Sequence, residues 1–583
     1  MKVAARIVLA AGVASASSAM AAPTVQTDLG EVRACHPLDG GDFLVGTGGG
    51  LARYNARGTL RAVWTAVDGL PGTRIDAISA VGDTLWIGTE SGAAVVALDG
   101  TKLAVTRTSE TRSVRQVIAF EGALYAATWE GGVRKLGARS STELRWRGGN
   151  NPQARARVSS LAIADGALWA GTANGLYRLA NGTFELTSIE AGANEVASLY
   201  GDGKMLWIGT TAGLYAREGS LVRGFGGGDV RKVAKVDGSI VAATFGGGLV
   251  RVDRGRLIEV ARAPKGLAMA QAIAEHDGAA CAGGLDGLWL RSKPDSAWTA
   301  ATRTAGPPAN DISALATAGD TLWVGTFDHG LARFERGAWQ PFESSKLDRR
   351  INALLVDGTK LWVATAAGLS VIEGDTVHQL AKSDGLPARG ILSLGKLRDG
   401  RILVGTSAGA AIVGDGRPAS IGNKQGLEAK NVWAVSEDAD GWIWLGTTTG
   451  LFRGKPDDTA WTRYSVATGH LRDDWVMSIV TRGHSIWVGT YKGGVTRFDT
   501  TDAGVTTTPL GEGWVNPGGL RLIGDTLFAS TMEGVRIGDG ASATWTTLDR
   551  MPGKDTTATV RIGDDLFVAT RRGLVSRPGY WTR

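Results

Sequence analysis

Few residues in this 583-residue chain stand at spacings that catalysis requires. The string Gly405-Thr406-Ser407-Ala408-Gly409 has the form of a hydrolase nucleophile motif. That chemistry needs its serine on a sharp turn from strand to helix, whereas Ser407 falls in a turn between two strands. The six histidines, His36, His276, His329, His378, His470 and His484, are scattered, with no pair at metal-ligand spacing. The glycine runs Gly226-Gly227-Gly228 and Gly246-Gly247-Gly248 fall between strands, so neither opens a helix as a phosphate loop must. No catalytic residue, metal or cofactor is expected.

The sequence offers binding chemistry instead. Phe327, Asp328, His329, Arg349, Arg350, Asp473, Asp474, Trp475, Tyr491, Lys492, Trp514, Arg571 and Arg572 combine aromatic rings with acids and cations. A ring face can stack on a sugar while charged, forked groups hydrogen-bond its hydroxyls. A thinner set, Arg115, Trp129, Glu130 and Phe245, lies in the N-terminal half.

These residues must be gathered by a repeating scaffold, because one string returns along the chain. It is Leu-Trp-(Ile/Val)-Gly-Thr, a short turn, then Gly-Leu, as in Leu85-Trp86-Ile87-Gly88-Thr89, Leu206-Trp207-Ile208-Gly209-Thr210 and Leu322-Trp323-Val324-Gly325-Thr326. The threonine recurs at 47, 89, 128, 172, 210, 244, 326, 365, 406, 447, 490, 531 and 570, and Gly284 fills the one gap. Fourteen units at a spacing of about 40 residues match the four-stranded blade of a β-propeller.

Each unit parses into four strands. Strand A is a run such as Ile312-Ser313-Ala314-Leu315, strand B the Leu-Trp-Val-Gly-Thr run, and strand C a run such as Gly330 to Phe334. Strand D carries an outer tryptophan, seen at Trp298, Trp339, Trp461, Trp545 and Trp581. Successive strand residues point to opposite faces, so Trp and Gly of strand B share one, a large ring beside a bare backbone. The small position is always Gly, Ala or Ser, with Ala127, Ala243, Ala364, Ser530 and Ala569 as substitutes.

The fold expected is all-β, two consecutive seven-bladed β-propellers, since fourteen blades exceed what one ring usually holds. The first would span 22–305 and the second 306–583, broken near Gly306-Pro307-Pro308; a six-plus-eight division is the alternative. No spare strand to close either ring is evident. Residues 1–21 read as a secretory signal peptide: Lys2 and Arg6, an apolar stretch from Ile7 to Ala14, then Ala19-Met20-Ala21. No later stretch is long and apolar enough to span a membrane, and the expected location is periplasmic or secreted. Lys and Arg number 63 against 57 Asp and Glu, spread evenly, which gives no basis for a nucleic-acid surface.

The Leu-Trp-Ile-Gly-Thr-x-x-Gly-Leu string, preceded by Asp-Gly-Leu-Pro loops at Asp68-Gly69-Leu70-Pro71 and Asp384-Gly385-Leu386-Pro387, resembles the two-component regulator propeller repeat. The resemblance covers nearly all of the chain after the signal peptide. It implies paired propellers of the kind that form periplasmic sensor regions, several of which bind polysaccharide-derived ligands. It departs from that pattern at the end, where the sequence shows no three-tyrosine module, transmembrane helix or kinase part. Streptogramin lyases resemble such propellers at the level of fold.

Three readings of function follow. The first is an exported, non-enzymatic ligand-binding or sensor protein recognising an oligosaccharide or another envelope component, with the second-ring loops as its site. The second is an envelope scaffold for other proteins. The third is a lyase-like enzyme with His329 as base beside Asp328 and His484. The two cysteines, Cys35 in strand A of the first blade and Cys281 at the strand B tryptophan position of the seventh, become neighbours if the first ring has seven blades. An exported protein can oxidise such a pair, and a disulfide there would lock the ring where chain continuity is absent.

Overall fold

A computed structural model describes residues 22–582 apart from 138–139, 150, 190–194, 261–263, 265, 295, 303–305, 381, 424–425, 428–430 and 459. The predicted signal peptide lies outside the described residues, as does the end of the predicted first propeller at residue 305. The described chain folds into fourteen antiparallel sheets in sequence order, each with its strands arranged A-B-C-D. The fourth carries a fifth strand, Arg145–Arg147, which runs parallel to Thr183–Thr187 and stacks Trp146 on Phe184 with ring centroids 4.7 Å apart.

The glycine of strand B explains how blades meet. A Cβ on Gly46 would approach Ile75 Cγ2 to 2.7 Å, one on Gly325 would approach Ile351 Cγ2 to 2.5 Å, and one on Gly446 would approach Val476 Cγ1 to 2.5 Å. In each case the neighbour is the first residue of strand A in the next blade. The notch beside the tryptophan therefore receives a β-branched side chain from the following sheet. Trp86 packs on the same face against Val114 and Val117 of that following blade.

This pairing traces two rings. Gly283 of the seventh blade holds Val32 of the first, and one hydrophobic cluster joins Val32, Cys35 and Phe43 to Ala272, Cys281 and Leu290. Ile312 of the eighth blade packs with Val560, Ala569 and Leu574 of the fourteenth, and Thr557 Oγ1 donates to Ile312 O at 2.7 Å. Cys35 and Cys281 are disulfide-bonded across the first seam, with Cα atoms 6.2 Å apart.

The first strand of the chain corrects the predicted layout. Thr24–Gln26 pairs with Leu574–Ser576 and forms the outer strand of the fourteenth blade, so these residues are not part of the first ring. Trp581 lies beyond the last strand and packs on Phe528, 5.9 Å between centroids, instead of lying on strand D. The chain then crosses to the first ring beside its later return. Asp28 N donates to Asn310 Oδ1 at 2.7 Å, Asn310 Nδ2 donates to Asp28 O at 2.8 Å, and Gly573 N donates to Asn310 O at 2.8 Å.

Every A–B pairing contains a register break near its start. In thirteen blades one residue, the second of strand A, is skipped; in the thirteenth the break runs from Val515 to Leu520. Such a bulge frees one side chain per blade from the ladder and re-aims it.

Candidate functional site

Turns from strand B to C and loops from strand D to A emerge on one face of each ring. The repeat threonine builds the turns. Thirteen threonines, Thr47 to Thr570, each donate Oγ1–H to the carbonyl of the glycine that opens strand C, at 2.7–3.2 Å. Gly284 breaks the series because a Cβ there would lie 1.8 Å from Met269 O. With the turn backbone fixed, the turn side chains are free to vary.

In blades 12 and 13 this face carries three successive rings. Trp475 lies 4.8 Å from Tyr491, and Tyr491 lies 5.1 Å from Trp514 with planes 28° apart. Trp475 and Trp514 are 37% and 42% exposed, unusual for tryptophan in a scaffold that buries Trp444 completely. Asp473 sets the geometry: its Oδ2 accepts from Lys492 N at 2.7 Å and its Oδ1 from Trp475 N at 3.3 Å. Tyr491 N donates to Trp475 O at 2.9 Å, and Lys492 Nζ lies 5.9 Å from the Tyr491 ring. The adjacent Asp474 accepts from Val466 N at 2.7 Å and so holds its own loop.

The other predicted residues have different surroundings. Arg571 pairs with Asp311 and, at 3.7 Å, Asp555, and it lies 5.2 Å over Phe327. It pins the seam between blades 14 and 8. Arg572 reaches the first ring, 3.3 Å from Glu90, and Thr73 Oγ1 donates to Pro552 O at 2.6 Å beside it. The rings thus touch through these loops. Arg350 is held by Asp348 at 3.1 Å; burial opposes ionisation of Asp348, but hydrogen bonds and charge from Arg350 hold its carboxyl below the usual range. Arg349 is exposed and its carbonyl accepts from Gly330 N at 2.8 Å.

The lyase-like grouping does not assemble. His329 bonds Asp328 at 2.5 Å in a B–C turn, whereas His484 sits in an A–B turn, 3.2 Å from Asp440. Those turns lie at opposite ends of the strands, so the two imidazoles face opposite sides of the ring. Ser407 sits in a turn between strands, exposed. The sequence showed no metal-ligand pair, yet folding brings His276 Nε2 within 3.0 Å of Asp39 Oδ1 and 3.8 Å of Asp277 Oδ2 at the A–B turns of the first seam. Both carboxylates are about nine-tenths exposed, at 90% and 88%, as in ordinary surface pairing.

Two groupings escaped sequence reading, although Arg115 and Trp129 stood among its first-ring candidates. Trp433, the skipped residue of blade 11, is half-buried with its indole Nε1 lacking a partner. In the first ring, the buried Asp76 carboxylate takes Arg33 Nε at 2.7 Å, Arg74 Nη2 at 3.1 Å and Arg115 Nη1 at 3.2 Å, and Arg115 also covers Trp129 at 5.0 Å. The shared signal was position: each of Arg33, Asp76, Arg115 and Trp433 is second in its strand A.

Comparison with known proteins agrees with this architecture. Residues 426–449 match the two component regulator propeller family. No curated protein matches the sequence. Among solved structures, the chain is similar to PorZ, an essential bacterial surface component of the type-IX secretion system of Porphyromonas gingivalis, at 12% identity and TM-score 0.69, covering 96% of this chain and 87% of that one. It is similar to an ancestral GH74 enzyme at 14% identity and TM-score 0.69, over 95% and 98% of the two chains. The extracellular domain of the hybrid two-component system BT4673 of B. thetaiotaomicron matches at 18% identity, over 95% and 82%, with TM-score 0.40.

Proposed function

For a chain built on the two-component regulator propeller repeat, we propose an exported, non-enzymatic ligand-binding or sensor role in which the second ring presents Trp475, Tyr491 and Trp514 to an oligosaccharide. The observation that carries this reading is the exposed three-ring shelf. Exposed tryptophan held by hydrogen-bonded turns is rigid apolar area ready to stack on a sugar face, with Lys492 beside it for hydroxyls. The N-terminal sequence supports export to the periplasm or beyond. No helix among the described residues is long and apolar enough to cross a membrane.

The test is thermal unfolding of residues 22–583 across a panel of oligosaccharides and cell-wall fragments. A ligand at about 100 times its dissociation constant adds roughly 2.7 kcal/mol and raises the melting temperature saturably. Trp475→Ala with Trp514→Ala should leave the fold intact and weaken binding by about tenfold or more, which is about 1.4 kcal/mol. Undiminished affinity in that folded variant would displace the site from the shelf. The alternative reading, an envelope scaffold, draws on the likeness to PorZ, and it gains if no glycan binds while cross-linking captures an envelope protein through this face.

A further inference from the structure

We propose that the axial channel of the first ring is a second binding site, specific for a small ligand bearing an oxyanion, a carboxylate or a phosphate, held by Arg33, Arg115 and Lys232. The cavity has a volume of about 410 Å³ and is walled by A strands of blades 1, 2, 3, 5, 6 and 7. Such a space admits a monosaccharide-sized acid.

Charge in this wall is unbalanced. Arg33, Arg115, Lys232 and Lys235 line it against Asp76 and Glu275. Arg33, Arg74 and Arg115 share the Asp76 carboxylate, with Arg33 also paired to Glu31, and Arg115 Nε is buried without a partner. Lys235 is matched by Asp202 at 3.2 Å, but the Lys232 ammonium has no hydrogen bond or ion pair among the described residues. Desolvation lowers the pKa of both Lys232 and Arg115; for Arg115 the opposing pull of Asp76 and Glu31 is offset by repulsion from Arg33 and Arg74. An anion in the channel relieves both groups.

The fold itself does not ask for this charge. The bulged second residue of strand A is Arg33, Asp76, Arg115 and Arg231 in blades 1, 2, 3 and 6. The corresponding residues of the second ring include Ser313, Asn352, Leu392, Trp433, Met477 and Thr557, none charged. The same backbone device is neutral in one ring and cationic in the other, so the first-ring charges answer to something in the channel.

Titration calorimetry of the disulfide-bonded protein at low ionic strength tests this, with inorganic phosphate, glucuronate and, as the uncharged control, glucose. Phosphate or glucuronate should bind saturably, more weakly as salt rises, and glucose should not bind the channel. Lys232→Met, which removes the charge but keeps the stem, and Arg115→Gln should each weaken the anion about tenfold or more. If Arg115→Gln fails to fold, Lys232→Met decides, because it breaks no existing pair. Absence of saturable binding by both anions, or unchanged affinity in a folded Lys232→Met variant, would overturn the proposal. So would anion binding that is lost on Arg571→Ala in the second ring. A negative glycan result at the aromatic shelf leaves this experiment untouched, since the two sites are in different rings.

Discussion

Val32, near the start of the chain, fills the notch over Gly283, where a Cβ would come within 2.6 Å of Val32 Cγ1. The same contact joins each glycine-bearing blade to its successor, so the ring closes by repeating the contact that builds it. Closure costs no special element in the first ring beyond one disulfide.

Filling a notch should therefore loosen the blade contact. Gly325→Leu places its Cβ 2.5 Å from Ile351 Cγ2, and overpacking of this kind destabilises by about 1–3 kcal/mol. Chemical denaturation would show a lowered midpoint; an unchanged midpoint would mean that the blades slide apart freely.

Removing the seam disulfide should weaken the first ring. A double Cys35→Ala, Cys281→Ala variant frees a 246-residue span and is expected to lose about 2–5 kcal/mol. Equal melting of the oxidised and reduced wild-type protein would contradict this.

The seam also sets a pH response. Desolvation and repulsion from His276 lower the pKa of His36 below its usual 6.5, against the opposing pull of Asp39. The unfolded chain then takes up a proton where the folded chain does not. Stability is full above pH 6.5 and falls as pH drops below it toward the depressed folded value. His36→Asn should flatten this slope relative to wild type, with His276, Asp39 and Asp277 left in place. An identical slope in the variant would assign the response elsewhere.

Asn310 should matter beyond its size. It exchanges two hydrogen bonds with Asp28 and accepts a third from Gly573 N. Asn310→Ala removes both side-chain hydrogen bonds to the Asp28 backbone, a loss of about 1–3 kcal/mol by thermal unfolding. An asparagine whose removal costs nothing would show that water replaces it.

The blades were legible because their signature residues are dictated locally. Thr406 clamps Gly409 as its counterparts do in twelve other blades, and Gly405 admits Val432 at a position that is small throughout, so the string repeats. The shelf was legible as residue types, and folding brings Trp475, Tyr491 and Trp514 together. What escaped reading depends on partners far away in sequence. Thr24–Gln26 has three residues and no motif, and its partner strand begins at Gly573. Arg571 looked available for ligand until Asp311 was placed against it by ring closure. His329 and His484 looked combinable because sequence does not say which end of a strand a turn occupies. Arg115 was legible as a first-ring candidate, but its cluster with Arg33 and Asp76 was hidden by the bulge, which moves all three off the alternation that strand reading assumes.

Because Thr24–Gln26 completes the blade that ends the chain, the order of synthesis and the order of assembly run against each other. The first strand made must wait, unpaired, while both rings are built, and it docks only when Gly573–Arg577 has appeared. The first ring holds every strand of its seven sheets within one continuous stretch and can finish early. The second ring is sealed last, by the oldest part of the molecule.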